Sequence, residues 1–105
     1  MRTLVLAALC GVACTVIAAN AQNPETLASN PVFQNNCAKC HGKSAQGRFM
    51  AGPSLVSQKV TATPADELRE IIVNGKHRMP KFKEKLQPSE IDALIDQIRS
   101  QTKPQ

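Results

Sequence analysis

Apolar residues in the second half of this chain recur at three- and four-residue intervals. Leu68, Ile71 and Ile72 stand at i, i+3 and i+4, and Ile91, Leu94, Ile95 and Ile98 form a longer stripe opposite Asp92, Asp96, Gln97 and Arg99. That spacing gathers each apolar set on one face of a helix. The boundaries carry matching signals. Thr63-Pro64-Ala65-Asp66 reads as a cap followed by a proline at the first helical position, Asn74-Gly75 closes that helix, and Pro88-Ser89-Glu90 opens the last one. Upstream, Asn30-Pro31 repeats the cap-then-proline signal, so Pro31 to Lys39 predicts a short helix with Phe33 and Cys37 on one face. Between the helices, Gly42 to Ala62 scatters Phe49, Met50, Leu55, Val56 and Val60 among Gly, Ser, Gln and Pro, and "KHRMPKFKEK" makes a second irregular stretch up to Leu86. Loops that long in a small domain usually wrap something or carry function. No stretch alternates with period two and no segment repeats, so the predicted fold class is all-α.

The first residues follow a different pattern. Arg2 precedes "TLVLAALCGVACTVIAA", which is uncharged, and Ala19-Asn20-Ala21 is a small-x-small site ahead of the polar "QNPET". This describes a secretory signal over residues 1–21, cleaved after Ala21, with a mature domain over residues 22–105. The alternative is a retained membrane anchor. The apolar run from Leu4 to Ala19, about sixteen positions, is shorter than the roughly twenty a spanning helix needs. Membrane contact is expected only if this segment is retained. Export from a bacterium places the domain in the periplasm.

Removing Arg2 leaves twelve Lys and Arg against eight Asp and Glu, a formal charge of +4 on one small domain. A chain of this size needs a disulfide, a metal or a large cofactor to complete its core. With three Phe, no Trp and no Tyr, something other than aromatic side chains fills the middle. Cys10 and Cys14 leave with the signal, so Cys37 and Cys40 are the cysteines that remain.

Those two lie in "NNCAKCHGK", where His41 follows directly. C-x-x-C-H in an exported protein is the attachment signature of c-type haem. Residues i and i+3 project to one side of a helical turn, so Cys37 and Cys40 can both form thioethers along one porphyrin edge, with His41 beneath the iron as axial ligand through Nε2. A structural zinc site would need about four protein ligands, and His77 is the only further Cys or His in the mature chain. A redox dithiol normally sits at a strand-to-helix junction, which the pattern lacks. Candidates for the sixth iron ligand are Met50, His77 and Met79. Met79 is favoured because Pro80 stiffens its backbone and the 38 positions from His41 let the chain pass round to the opposite face. Arg48, Lys76 and Arg78 are candidate partners for the haem propionates.

"NPVFQNNCAKCHG", "AGPSL", "NGKHRMPKF" and "EIDALIDQIRS" together resemble the class I c-type cytochromes, the small soluble monohaem type, over nearly all of the mature chain. The resemblance implies a small cytochrome c fold of three to four helices wrapped around one covalently attached haem c. It implies thioether attachment at Cys37 and Cys40, iron ligation by His41 and Met79, and a Pro53 carbonyl accepting from His41. It also implies an N-terminal helix crossing the C-terminal one, with Phe33 against Leu94. Ser29 stands where the family usually has Gly, and Gln97 where it often has an aromatic.

An iron closed by His and Met leaves no position for substrate, so the expected activity is one-electron transfer and not enzymatic turnover. A weakly held Met79 would instead open the iron for peroxide or gas chemistry, and a subunit role in a dehydrogenase or oxidase would keep the same chemistry with a different partner. Lys76, Arg78, Lys81, Lys83 and Lys85 surround Met79 with only Glu84 opposing them. Such a basic surface suits an acidic docking surface on a redox partner protein, and nucleic acid is not an expected partner.

Overall fold

The computed structural model describes residues 26–101; the signal segment, its cleavage site, the first residues of the polar lead-in and the tail from Thr102 lie outside the described residues. Five helical segments follow one another: α1 (Pro31–Asn36), α2 (Ala38–His41), α3 (Gln58–Thr61), α4 (Ala65–Asn74) and α5 (Pro88–Arg99). No strand occurs among the described residues. Two isolated bridges, Arg48 to Gly52 and Lys76 to Met79, close tight turns.

The segment count exceeds the three to four helices expected, for local reasons. The predicted N-terminal helix is interrupted at Cys37, whose φ of −117° and ψ of −36° separate α1 from α2. Within the long loop, Ser57 Oγ accepts the Val60 amide at 3.4 Å and starts the single turn of α3. At α4 the cap is Pro64, not Thr63. Pro64 is extended, with ψ 145°, and the Thr63 hydroxyl donates back to the Lys59 carbonyl at 2.9 Å, so it serves the end of α3 instead. Asp66 and Glu67 still supply negative charge to the first turn of α4.

α5 is the centre of the core. Ile91, Leu94, Ile95 and Ile98 are all buried, each stabilising by roughly 1.5–3 kcal/mol relative to exposure. Its start is fixed by Pro88 in the first turn and by Glu90, whose Oε2 accepts the Gln87 amide at 2.7 Å. α4 packs against α5 through Leu68 and Ile72, while Ile71 is only half-buried at the side of that contact. Phe33, Leu27, Leu94 and Ile95 are the largest fully buried side chains, so α1 and α5 feed one core.

After α4 the chain folds back on it. Gly75 (φ 76°) ends the helix, its amide donating to Ile71 at 2.8 Å. The Phe82 amide then bonds the Ile72 carbonyl at 3.0 Å, and the Lys83 amide bonds Val73 at 3.2 Å. Carbonyls that a helix end would leave unpaired thus hold the Met79 loop in place.

Asn30 joins the two ends of the fold. Its Oδ1 accepts the Val32 amide at 2.9 Å, capping α1, and its Nδ2 donates to Gln97 Oε1 on α5 at 2.8 Å. The side chain is buried, so both bonds are sheltered from water. Asn30→Ala removes both and leaves the Val32 amide short of a partner. The expected loss is about 1–3 kcal/mol, read as a lower denaturation midpoint of the holoprotein; a loss under about 0.5 kcal/mol would mean that the clamp adds nothing to apolar packing.

Candidate functional site

Asn30 and Pro31 set the start of α1, and six residues later the helix reaches the cysteines. The Cys37 amide still bonds Phe33 O at 2.8 Å, and the Cys37 carbonyl then accepts two amides, from Cys40 at 3.1 Å and His41 at 3.0 Å. That shared carbonyl winds the C-x-x-C-H turn tightly. Gly42, with φ 85°, ends α2 at once. Cys37 and Cys40 are both half-buried and are not joined to each other. Burial, with a smaller contribution from Cys40 beside it, pushes the Cys37 thiol up to about 11.

His41 is buried, 8% exposed. Its Nδ1 lies 2.8 Å from the carbonyl oxygen of Pro53. A carbonyl can only accept, so Nδ1 carries a proton, and in the neutral ring Nε2 is the nitrogen with the free lone pair. The ring is thereby fixed in the tautomer and orientation that a metal-binding imidazole requires.

The segment from Gly47 to Ser54 lies directly on this turn. The Gly47 amide donates to the His41 carbonyl at 2.6 Å. A Cβ on Gly52 would stand 2.8 Å from the Cys40 carbonyl oxygen and 3.2 Å from His41 Nδ1, a contact only glycine permits. Arg48 donates from Nη1 to the Lys39 carbonyl, so of the three candidate propionate partners it is already engaged, while Lys76 and Arg78 are exposed on the Met79 loop. Sequence reasoning missed the role of Gly52. The available signal was a glycine immediately before Pro53 in "AGPSL".

The candidates for a sixth ligand separate by environment. Met79 is half-buried and packs against the core. Met50 is 77% exposed, with φ 57°, on the loop that lies against His41 itself, and His77 is exposed with φ 55°. The margin of the core also holds Val32, Leu55, Val56, Val60 and Val73, apolar side chains that are only partly covered. Paired thiols, a buried imidazole with one nitrogen committed and an unfinished apolar wall fit a porphyrin. A metal ion alone fits less well: among the described residues no three of His, Cys, Asp and Glu gather to hold one.

A helical fold of this form with this turn defines a c-type cytochrome. Residues 24–98 match the family described as cytochrome C oxidase, cbb3-type, subunit III, and the chain belongs to that family. It is 33% identical over 73 residues to cytochrome c6 of Leptolyngbya boryana, covering 67% of this chain and 85% of that protein. It is 32% identical over 82 residues to the cbb3-type cytochrome c oxidase subunit FixP of Bradyrhizobium sp. (strain ORS 278), covering 75% of this chain but only 28% of FixP. Among solved structures, the KustC0563 c-type cytochrome superposes with a TM-score of 0.61 at 27% identity, over 69% of this chain and 94% of that one. Cytochrome c6C from Synechococcus sp. PCC 7002 does so with a TM-score of 0.56 at 25% identity, over 67% and 88%. The chain is a small class I monohaem cytochrome, and its cofactor is covalently bound haem c.

Gly52→Ala would force its methyl against the Cys40 carbonyl and the His41 ring. The expected outcome is a holoprotein yield lowered severalfold and a destabilisation of about 2 kcal/mol or more in what does assemble. Wild-type yield and melting would show that the loop shifts away without cost.

Proposed function

We propose that this protein is a one-electron carrier of the bacterial periplasm. In this reading Cys37 and Cys40 form the thioethers, and His41 Nε2 and the Met79 sulfur bind the iron. The observation that carries the reading is the His41–Pro53 hydrogen bond, which commits Nδ1 and leaves Nε2 as the ligating atom. Bound haem supplies one-electron cycling between ferric and ferrous iron. The chain's own residues hold the imidazole, surround the iron with apolar side chains and exclude water, so the environment changes little between the two states. With His41 and Met79 both holding the iron, no position would remain for a substrate, so the role in this reading is that of a carrier and not an enzyme. Export with cleavage after Ala21 completes the reading; within the described residues no helix is long and apolar enough to cross a membrane.

Met79 is preferred to Met50 as the residue that would hold the iron because it packs on the core, whereas Met50 stands in water on the loop that lies against His41. Met79→Ala in the holoprotein should abolish the weak red band of ferric iron bonded to thioether sulfur and let ferrous iron bind carbon monoxide. Met50→Ala should change neither, and the reverse result would reassign the ligand.

A second reading rests on the match to FixP: the same domain acting as the haem module of an oxidase complex. It alters the partner and not the chemistry at iron. Purification of the native protein separates the two, since a carrier elutes alone and a subunit elutes with its complex.

Lys76, Arg78, Lys81 and Lys83 are exposed around Met79, and Lys85 is held with its ammonium 5.7 Å over the Phe82 ring. This surface suits an acidic redox partner. Attraction between exposed charges is screened over about 8 Å at physiological ionic strength. The second-order electron-transfer rate with the native partner should therefore fall as salt rises. Lys81→Glu with Lys83→Glu should lower it by about tenfold at low salt, with spectrum and potential unchanged. A rate indifferent to both would make this basic surface a solubilising one only.

A further inference from the structure

The least expected feature of the surface is on the other loop. Phe49 is 95% exposed and Met50 beside it 77% exposed, and they are the large apolar side chains left in water among the described residues. They form the tip of a tight turn. The Arg48 amide donates to Gly52 O at 3.0 Å, the Gly52 amide returns to Arg48 O at 3.3 Å, and the Ala51 amide reaches the same oxygen at 3.1 Å. The base of the turn is pinned to the haem-attachment segment by the Gly47 bond to His41, by the close approach of Gly52 to Cys40 and by Arg48 on Lys39. The tip is thus a fixed projection from the His41 side of the site.

Met50 holds a left-handed conformation, φ 57°, in which glycine would be at ease. Methionine stands there with no core to fill. The charges along this part of the chain are one-sided. From Thr26 to Ala65 there is no Asp or Glu, whereas Lys39, Lys43, Arg48 and Lys59 all lie in that stretch. Lys39, Lys43 and Arg48 line one shallow depression beside the tip. Every acidic residue among those described falls between Asp66 and Asp96.

Resting on the electron-carrier reading above, we propose that Phe49 and Met50 are the apolar anchor by which this cytochrome docks its redox partner, the partner offering an apolar recess rimmed by carboxylates. A few buried anchor residues can carry most of an interface's binding energy, and here Lys39, Lys43 and Arg48 flank the anchor on one side. The cations guide the encounter and the anchor holds it, so the two contributions differ in salt dependence. Because the turn is bonded to His41 and Lys39 and packs closely on Cys40, a partner seated on the tip lies against the attachment segment, a short path for the electron.

The test measures oxidation of ascorbate-reduced holoprotein by respiratory membranes of the source organism, at low and high salt. The double variant Phe49→Ser, Met50→Gly is compared with the wild type; glycine at position 50 suits the existing backbone, and an unchanged haem spectrum confirms folding. The expected result is a KM raised fivefold or more at both salt concentrations, with kcat unaltered. Equal KM values overturn the anchor while leaving the carrier reading intact. Failure of the membranes to oxidise the wild type overturns the carrier reading and the anchor with it. Both proteins are also sedimented with protein-free vesicles made from the lipids of those membranes, and neither should pellet. A wild type that pellets while the variant stays in solution would make the tip a lipid anchor and overturn the proposal.

Discussion

The hydrogen bond from His41 to the Pro53 carbonyl joins the two halves of the site. One half is a local object, the Cys37 to His41 turn, wound tightly because a single carbonyl accepts two amides. The other is a loop with little regular structure that must be brought across it. Only a contact without side-chain bulk lets the two backbones approach closely enough for that bond, and Gly52 supplies it. The imidazole is oriented by the main chain of Pro53. Its setting therefore depends on loop position and not on the rotamer of a neighbouring side chain.

Positioning of the loop in turn depends on the core. Leu55 donates its amide to Ala45 O at 2.8 Å and packs at the margin of the buried cluster, so the segment after Pro53 is tied inward. On the far side, the Met79 loop hangs from the last carbonyls of α4, and α4 is set by its packing on α5. Asn30 closes the circuit, capping the helix that leads to the cysteines while holding α5. The backbones that carry the cysteines and Met79 are thus fixed by helix ends, where unpaired amides or carbonyls are available to hold a loop. This is an economical use of a small chain, in which few residues could be spared for a dedicated scaffold.

What was legible in the sequence follows the range of the interactions involved. α4 and α5 could be read because apolar spacing, caps and closing residues all lie within a dozen positions of one another. The attachment turn was legible for the same reason. Asn30 was readable as a cap, but its second bond runs to a residue 67 positions away and left no local sign. The gap at Cys37 and the turn of α3 were missed because one is a change in a single residue's backbone and the other a single turn started by Ser57, both too short for periodicity to register. Thr63 shows a local signal overridden: it has the right chemistry to cap α4, but the Lys59 carbonyl claims its hydroxyl first. Met50 and Met79 looked alike as residue types, and spacing favoured one of them. Burial separates them physically, since one packs on the core and the other stands in water.

The distribution of charge along this chain gives its surface direction. The stretch that builds the His41 side carries cations and no acid, and the loop around Met79 adds five more cations against Glu84. Six of the described carboxylates lie instead on α4 and α5, where Arg69 draws Asp66 and Asp92 together at 3.2 and 2.6 Å. Exposed pairs of this kind add little stability. They do neutralise one another locally and leave the unbalanced positive charge on the loop that lies against His41 and on the loop that carries Met79. Under the proposed carrier role, long-range attraction would present those loops to an acidic partner before any contact forms. The helices that stabilise the fold and the loops that carry its function thus divide both the apolar side chains and the charges between them.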